Sequence, residues 1–259
     1  MKRIIPILFM LILFGCSSES VSKKGFQVSE ITENEKGEKI VGLSIDSLEL
    51  ETKPRNVLLT KHAAHRLTPI YKVNYDKNGK PFVGSNAFHF NYSLDGKNED
   101  NKWNDNFMPG FEAIYGYNFV NIAHFNNDTK KANLFFDNPV LIKTFYYPAF
   151  SKDTLNGLAV SRNFYMVSVY DEDTNQDGFI NTKDLRRFYH FDLGATQQSV
   201  LVPKNYAVLS SEYDLANDFM YVFARMDENE NGEMEYEEST HIFWIDLKNP
   251  KNNGIQYGF

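Results

Sequence analysis

A chain of 259 residues with 34 acidic against 27 basic side chains, 22 phenylalanines, 15 tyrosines and a single cysteine is long enough for a proper core but can hold no disulfide framework. Its acidic balance, without a basic stripe, argues against nucleic acid as a partner, because binding to phosphate backbones depends on Lys and Arg displacing counterions. The first element in chain order is a signal. Lys2 and Arg3 form a positive n-region, and the run 4–14 is almost wholly apolar. A transmembrane helix needs roughly 20 apolar residues, whereas Gly15-Cys16 ends this run and the sequence then turns polar. It reads as an export signal.

Leu13-Phe14-Gly15-Cys16 resembles the lipobox of bacterial lipoproteins. The resemblance implies removal of a signal peptide spanning 1–15, lipidation of Cys16 and attachment to a membrane through acyl chains, since two or more chains anchor stably where one does not. A plain secretory signal and a buried N-terminal helix are the alternative readings. The chain's only cysteine falls at the modified position, which favours the lipobox. Ser17 stands where an Asp would retain a lipoprotein in the inner membrane, so the resemblance implies an outer-membrane anchor on the periplasmic or cell-surface side. Glu19 nearby resembles the surface-export signals of Bacteroidetes lipoproteins.

Residues 16–37, rich in Ser, Lys and Glu, are expected to form a flexible tether, and 38–259 one all-β domain. Order is expected from near Ile40. Leu43, Ile45, Leu48 and Leu50 then approach the period-two signature of a half-buried strand. Beyond them β-branched and aromatic residues dominate each apolar run, as in Phe88-His89-Phe90, Phe119-Val120 and Phe164-Tyr165-Met166-Val167, and no segment sustains helical periodicity.

Asp173-Thr-Asn175-Gln-Asp177-Gly178 matches Asp227-Glu-Asn229-Glu-Asn231-Gly232 at an offset of 54 residues. Flanking apolar stretches match too, so each unit reads strand, acidic loop, strand. Segments 70–92, turning at Asp76-Lys-Asn78-Gly79, and 118–137, turning at Asn126-Asn-Asp128, share that outline without the acidic loop. Apolar stretches before the hairpins, such as 57–60 and 206–210, complete a four-stranded unit. The spacing resembles a small β-propeller of four or five blades; a two-sheet β-sandwich is the alternative, because hairpins recur in any antiparallel protein.

The two acidic loops carry a ligand spacing suited to calcium, a hard cation that takes six to eight oxygen ligands. In the first, Asp173, Asn175, Asp177, the Phe179 carbonyl, Asn181 and Asp184 fall at positions one, three, five, seven, nine and twelve, with Gly178 at the sharp turn. In the second, the same places fall to Asp227, Asn229, Asn231, the Glu233 carbonyl, Glu235 and Glu238, with Gly232 at the turn. Ile180 and Met234, at position eight, are expected to anchor each loop to the core. The spacing resembles the EF-hand family and, with Asp184 at the last position, the calcium loops of dockerin modules. The resemblance covers the loops alone, since the preceding segments are strand-like where an EF-hand has a helix. A solvated acidic turn is the alternative for one loop; two loops in register favour a structural Ca2+ site.

Support for catalysis is thin: no Gly-x-Ser-x-Gly elbow, phosphate-cradling glycine loop or His-Glu-x-x-His pair occurs. His62 and His65 would share a helix face if 61–66 were helical, but a transition metal would need a third ligand. Trp103, Tyr115, Tyr117, Tyr146 and Tyr147 offer sugar-stacking platforms, with core packing the stronger explanation. Asp46-Ser47-Leu48 and Asp153-Thr154-Leu155 resemble the sites O-glycosylated in Bacteroidetes. The expected function is a membrane-anchored, calcium-stabilised scaffold presenting loops to a glycan or protein partner; the alternative is an exported propeller hydrolase, marked by two close, perturbed carboxylates or a metal trio.

Overall fold

The computed structural model describes residues 25–27, 31–33, 39–41, 50–76, 78–83, 88–90, 108–115 and 118–258. The signal peptide, Cys16, most of the tether, the alternating stretch 43–48, Trp103, Tyr117 and the Asp46 tripeptide lie outside them. Among the described residues the regular elements are β-strands in antiparallel sheets, the all-β architecture that the aromatic and β-branched runs predict. No helix among them is long and apolar enough to cross a membrane.

Three sheets carry the body. The first orders Lys131–Leu134, Phe119–Asn126, His65–Tyr75 and Thr52–Pro54, with Leu58–Leu59 and Pro81–Val83 also paired to His65–Tyr75. The central sheet runs Gln198–Val200, Arg187–Asp192, Phe164–Tyr170, Leu141–Pro148, Phe111–Tyr115 and Phe88–Phe90. The C-terminal sheet is a four-stranded meander of Tyr206–Asp214, Phe219–Met226, Thr240–Asp246 and Asn253–Tyr257.

Both early hairpins form where the turn residues stand. The Asp76 carboxylate accepts from the Asn78 and Lys80 N–H groups, and the Asn126 amide oxygen accepts from those of Asp128 and Thr129, the side-chain-capped turns for which Asp and Asn are suited. They do not form separate units. His65–Tyr75 is eleven residues long, so its first part pairs with Phe119–Asn126 while its end pairs with Pro81–Val83, and one sheet absorbs both.

The central sheet is buried on both faces. Along Phe164–Tyr170 all seven residues are buried: Tyr165, Val167 and Val169 pack with Leu67, Ile122 and Phe145, while Phe164 and Met166 turn to the opposite side, with Val222, Phe243 and Ile245. This two-sided burial explains the unbroken apolar run where a half-buried strand would alternate. Phe145 stacks on Tyr147 at 5.6 Å between ring centroids and meets Phe135 edge-on at 5.4 Å; each such ring contributes about 1.5–3 kcal/mol by burial.

One charged pair crosses this apolar interior. Arg162, just before the central strand, donates from both terminal nitrogens to Asp218, at 2.9 and 2.7 Å, and both side chains are only 2% exposed. The guanidinium also donates to the Leu247 and Pro109 carbonyls at 2.8 and 2.9 Å and lies over the Phe111 ring; Tyr213 donates to the same carboxylate at 3.1 Å. Asp218 sits at φ 61°, a left-handed conformation that Asn tolerates. Asp218→Asn therefore leaves the turn intact but strands a buried cation. It is expected to cost about 3–5 kcal/mol and to lower the melting temperature by on the order of 10 °C, with much of that loss recovered by adding Arg162→Met, as thermal melts of the three variants would show.

Candidate functional site

The two acidic loops follow equivalent strands. Phe164–Tyr170 leads into the first and Phe219–Met226 into the second; Arg187–Asp192 and Thr240–Asp246 lead out. No helix enters either loop. Between the strands, both chains take the same path. Gln176 and Glu230, at position four, share φ 57°, and Gly178 and Gly232, at position six, have φ 87° and 75°.

The hydrogen bonds match position by position. Asp173 accepts from the Asp177 and Gly178 N–H groups at 3.0 and 2.8 Å; Asp227 accepts from those of Asn231 and Gly232, both at 3.1 Å. The Asn175 amide oxygen accepts from Asp177 N–H at 3.2 Å, as that of Asn229 does from Asn231 N–H at 3.0 Å. Asp177 accepts from Phe179 N–H, and Asn231 from Glu233 N–H. At the closing position, Asp184 takes the N–H groups of Thr174 and Asn181, and Glu238 those of Glu228 and Glu235. Asp184 reaches the position-two N–H with the shorter side chain, so the loss of one methylene leaves this pattern intact.

Three of these carboxylates stand buried without a basic partner among the described residues. Asp184, Asp227 and Glu238 are buried, yet the ion pairs among the described residues involve Lys53, Arg162, Arg187 and Lys204, and none reaches these three. Burial pushes the Asp184 carboxyl up from 3.8 to about 6, and the neighbouring Asp173 charge pushes the same way. A folded value above the unfolded one means that this group favours folding below about pH 4 and opposes it progressively as pH rises to 6. An ionised carboxylate offers about four lone-pair sites. Asp173 and Asp227 each use two of these on N–H groups within their loops. The donors are oxygens alone, from carboxylates, amides and carbonyls, the set that suits a hard cation.

The loops also hold each other. Thr174 Oγ donates to the Gly232 carbonyl at 2.6 Å, Asn175 Nδ2 to Glu233 Oε1 at 2.8 Å, and Asp184 and Glu233 form an antiparallel bridge. On its other side the first loop pairs with the start of the described chain: Phe179 and Ile180 pair with Gln27 and Phe26, whose ring is buried. That short strand lies inside the segment expected as tether, so part of it is seated on the body. Ile180 packs with Phe26, Val120, Leu141 and Tyr170, as its place in the loop predicts. Met234 does not. It is 41% exposed, because the second loop's inner edge is spent on the first loop and, among the described residues, no strand pairs with position eight.

The other expected groups fall elsewhere. His62 and His65 share no helix: 61–64 form a bend and turn, and His65 opens a strand. His65 Nδ1 lies 2.8 Å from His124 Nε2, and His62 Nε2 donates to the Arg162 carbonyl at 2.7 Å. Burial and His124 hold the His65 imidazole below its ordinary value. Tyr147 is core, its hydroxyl donating to Glu112 at 2.6 Å, and Tyr146 packs against the core between the central and C-terminal sheets. Thr154 lies in the hairpin Asp153–Leu155 with Leu158–Val160. Among the described residues, those of the two acidic loops included, no group of three or more His, Cys, Asp or Glu side chains is gathered closely enough to hold a metal ion.

Sequence reasoning missed the contact between the loops, because nothing in a 54-residue offset says which way two sheets face. Gly232 is its tell. A Cβ added there would fall on the Thr174 carbonyl oxygen, whereas one added at Gly79, also at positive φ, meets nothing. Gly79→Ala is expected to cost about 1–2 kcal/mol for its backbone conformation alone, and Gly232→Ala several-fold more because the loops must separate; equal losses in chemical denaturation would show that they are not in contact. No family model and no curated protein matches the chain, so its functional reading rests on these residues.

Proposed function

We propose that this chain is an exported lipoprotein, anchored through Cys16 at the outer membrane, whose paired loops bind two structural Ca2+ ions and stiffen a β-scaffold that binds a glycan or protein partner. One observation carries the calcium reading: the buried closing carboxylates, Asp184 and Glu238, sit in two loops with matching hydrogen bonds and have no basic partner among the described ion pairs. A cation would offset this charge. In the first loop Asp173, Asn175, Asp177, the Phe179 carbonyl, Asn181 and Asp184 would hold it; in the second, Asp227, Asn229, Asn231, the Glu233 carbonyl, Glu235 and Glu238. The ion's contribution is charge neutralisation and cross-linking of strand ends, which couples its binding to folding.

For the architecture we favour a propeller-like arc, with the three stacked sheets as successive blades. Apolar contact on both faces of the central sheet and the four-stranded C-terminal meander support it. The packing of the first sheet on the central one is equally the packing of a sandwich.

Calorimetry and thermal melting of the soluble body against calcium test the ion sites. Dissociation constants of about 10⁻⁴ to 10⁻³ M are expected, so 10 mM calcium should stabilise the fold by roughly 1.4–2.7 kcal/mol per site. Asp173→Ala and Asp227→Ala should each remove one site; no heat at 10 mM calcium would reduce both loops to acidic turns. The anchor is tested separately. Metabolic labelling with palmitate should mark the full chain and place it in the membrane fraction, and Cys16→Ser should abolish both signals; an unlabelled membrane-bound chain would overturn the lipobox reading.

A further inference from the structure

A cavity of about 140 Å³ lies between the central and C-terminal sheets, at the edge of the apolar core they share. Along Phe164–Tyr170 the side chains turned toward the C-terminal sheet are Phe164, Met166 and then Ser168, so a hydroxyl stands where the next apolar group would be. Thr144 and Phe188 flank Ser168 on the two neighbouring strands, and all three line the cavity. The C-terminal sheet contributes Ser210 and Ser211 beside Met220 and Val222. The lining is thus of two kinds, hydroxyls and apolar side chains.

Arg186 is the one charged side chain among the described lining residues, and no Asp or Glu joins it. Its Nε donates to the Val208 carbonyl at 2.6 Å and its Nη2 to that of Leu209, and none of the ion pairs among the described residues involves it. A bulge between Val208 and Ser210 leaves Leu209 outside the strand register, and a second, between Ile142 and Thr144, does the same for Lys143. Partial burial and the Arg186 charge hold the Lys143 ammonium below its ordinary value, so the two cations are within electrostatic reach of each other. A guanidinium has five N–H donors. The two carbonyls and the Tyr170 hydroxyl, which shares a side-chain hydrogen bond with Arg186, leave two of them for a ligand.

Charge and shape select that ligand. A cation would be repelled by Arg186 and would meet no carboxylate. A neutral molecule would leave the guanidinium charge without a counter-ion. Phosphate, charged on all sides, would press part of its charge against Phe188, Met220 and Val222 at a desolvation cost. A short-chain carboxylate meets both kinds of wall: its oxygens accept from N–H and O–H groups, and its alkyl end lies on the apolar side chains. The volume is below the usual range of drug-sized sites and suits roughly four to six heavy atoms.

We propose that this cavity binds a carboxylate of acetate to butyrate size, held by Arg186 with the Thr144 and Ser168 hydroxyls. The site depends on neither the calcium nor the anchor reading. The experiment is titration of the full chain in non-ionic detergent with sodium acetate, propionate and butyrate, in calcium-free buffer at fixed ionic strength, followed by NMR. Propionamide and phosphate serve as controls. Saturable binding of at least one carboxylate at millimolar concentration is expected, weakened at least ~10-fold by Arg186→Met and roughly 3- to 10-fold by Thr144→Val, which keeps the side chain's shape. Should Arg186→Met fail to fold in a thermal melt, Thr144→Val decides. No saturation by any of the three carboxylates, equal binding of propionamide, tighter binding of phosphate, or an affinity unchanged in Thr144→Val would each overturn the site.

Discussion

The bidentate pair of Arg162 and Asp218 fixes how the sheets lie on one another. Stripping water from two opposite charges costs several kcal/mol per ion, and only a closely bonded cage offsets it. Here the cage comes from the whole body: the Pro109 carbonyl just before the central sheet's strand Phe111–Tyr115, the Leu247 carbonyl and Tyr213 hydroxyl from the C-terminal sheet, and His62 from the first sheet on the arginine's own carbonyl. An apolar interface of rings and β-branched residues tolerates sliding by small steps. A buried ion pair with every bond directed does not.

That constraint and the acidic loops act at opposite ends of the same two strands. Arg162 precedes Phe164–Tyr170 and Asp218 precedes Phe219–Met226, while the loops follow both. The strands are thus pinned together at their starts by a salt bridge and at their ends by the contact of Thr174 and Asn175 with Gly232 and Glu233. The two pins differ in chemistry. The first carries its own counter-charge, whereas the second gathers carboxylates that have no basic partner among the described ion pairs.

Much of this was legible in the residues. The turns at Asp76 and Asn126, the strand pairs around each acidic loop and the matching turns inside the two loops follow from local rules in which Asp, Asn and Gly have few alternatives. What was not legible depends on distant partners. The merging of two hairpins into one sheet is set by the length of His65–Tyr75, which a periodicity of two does not bound. A helical spacing would make His62 and His65 neighbours, whereas their partners Arg162 and His124 stand 100 and 59 residues away. The exposure of Met234 against the burial of Ile180 depends on Phe26, which lies in a polar stretch with no periodic signal.

The pairing of Phe26 and Gln27 with the first loop sets a leash. Gly25 permits it, since a Cβ there would fall on the Ile180 carbonyl. On the proposed acylation of Cys16, only the residues between it and Gly25 would separate bilayer from body, and a chain of that length spans at most on the order of 30 Å. A leash that short would orient the body as well as hold it, turning the loop-bearing end toward the headgroups and the end with Arg162 and Asp218 outward.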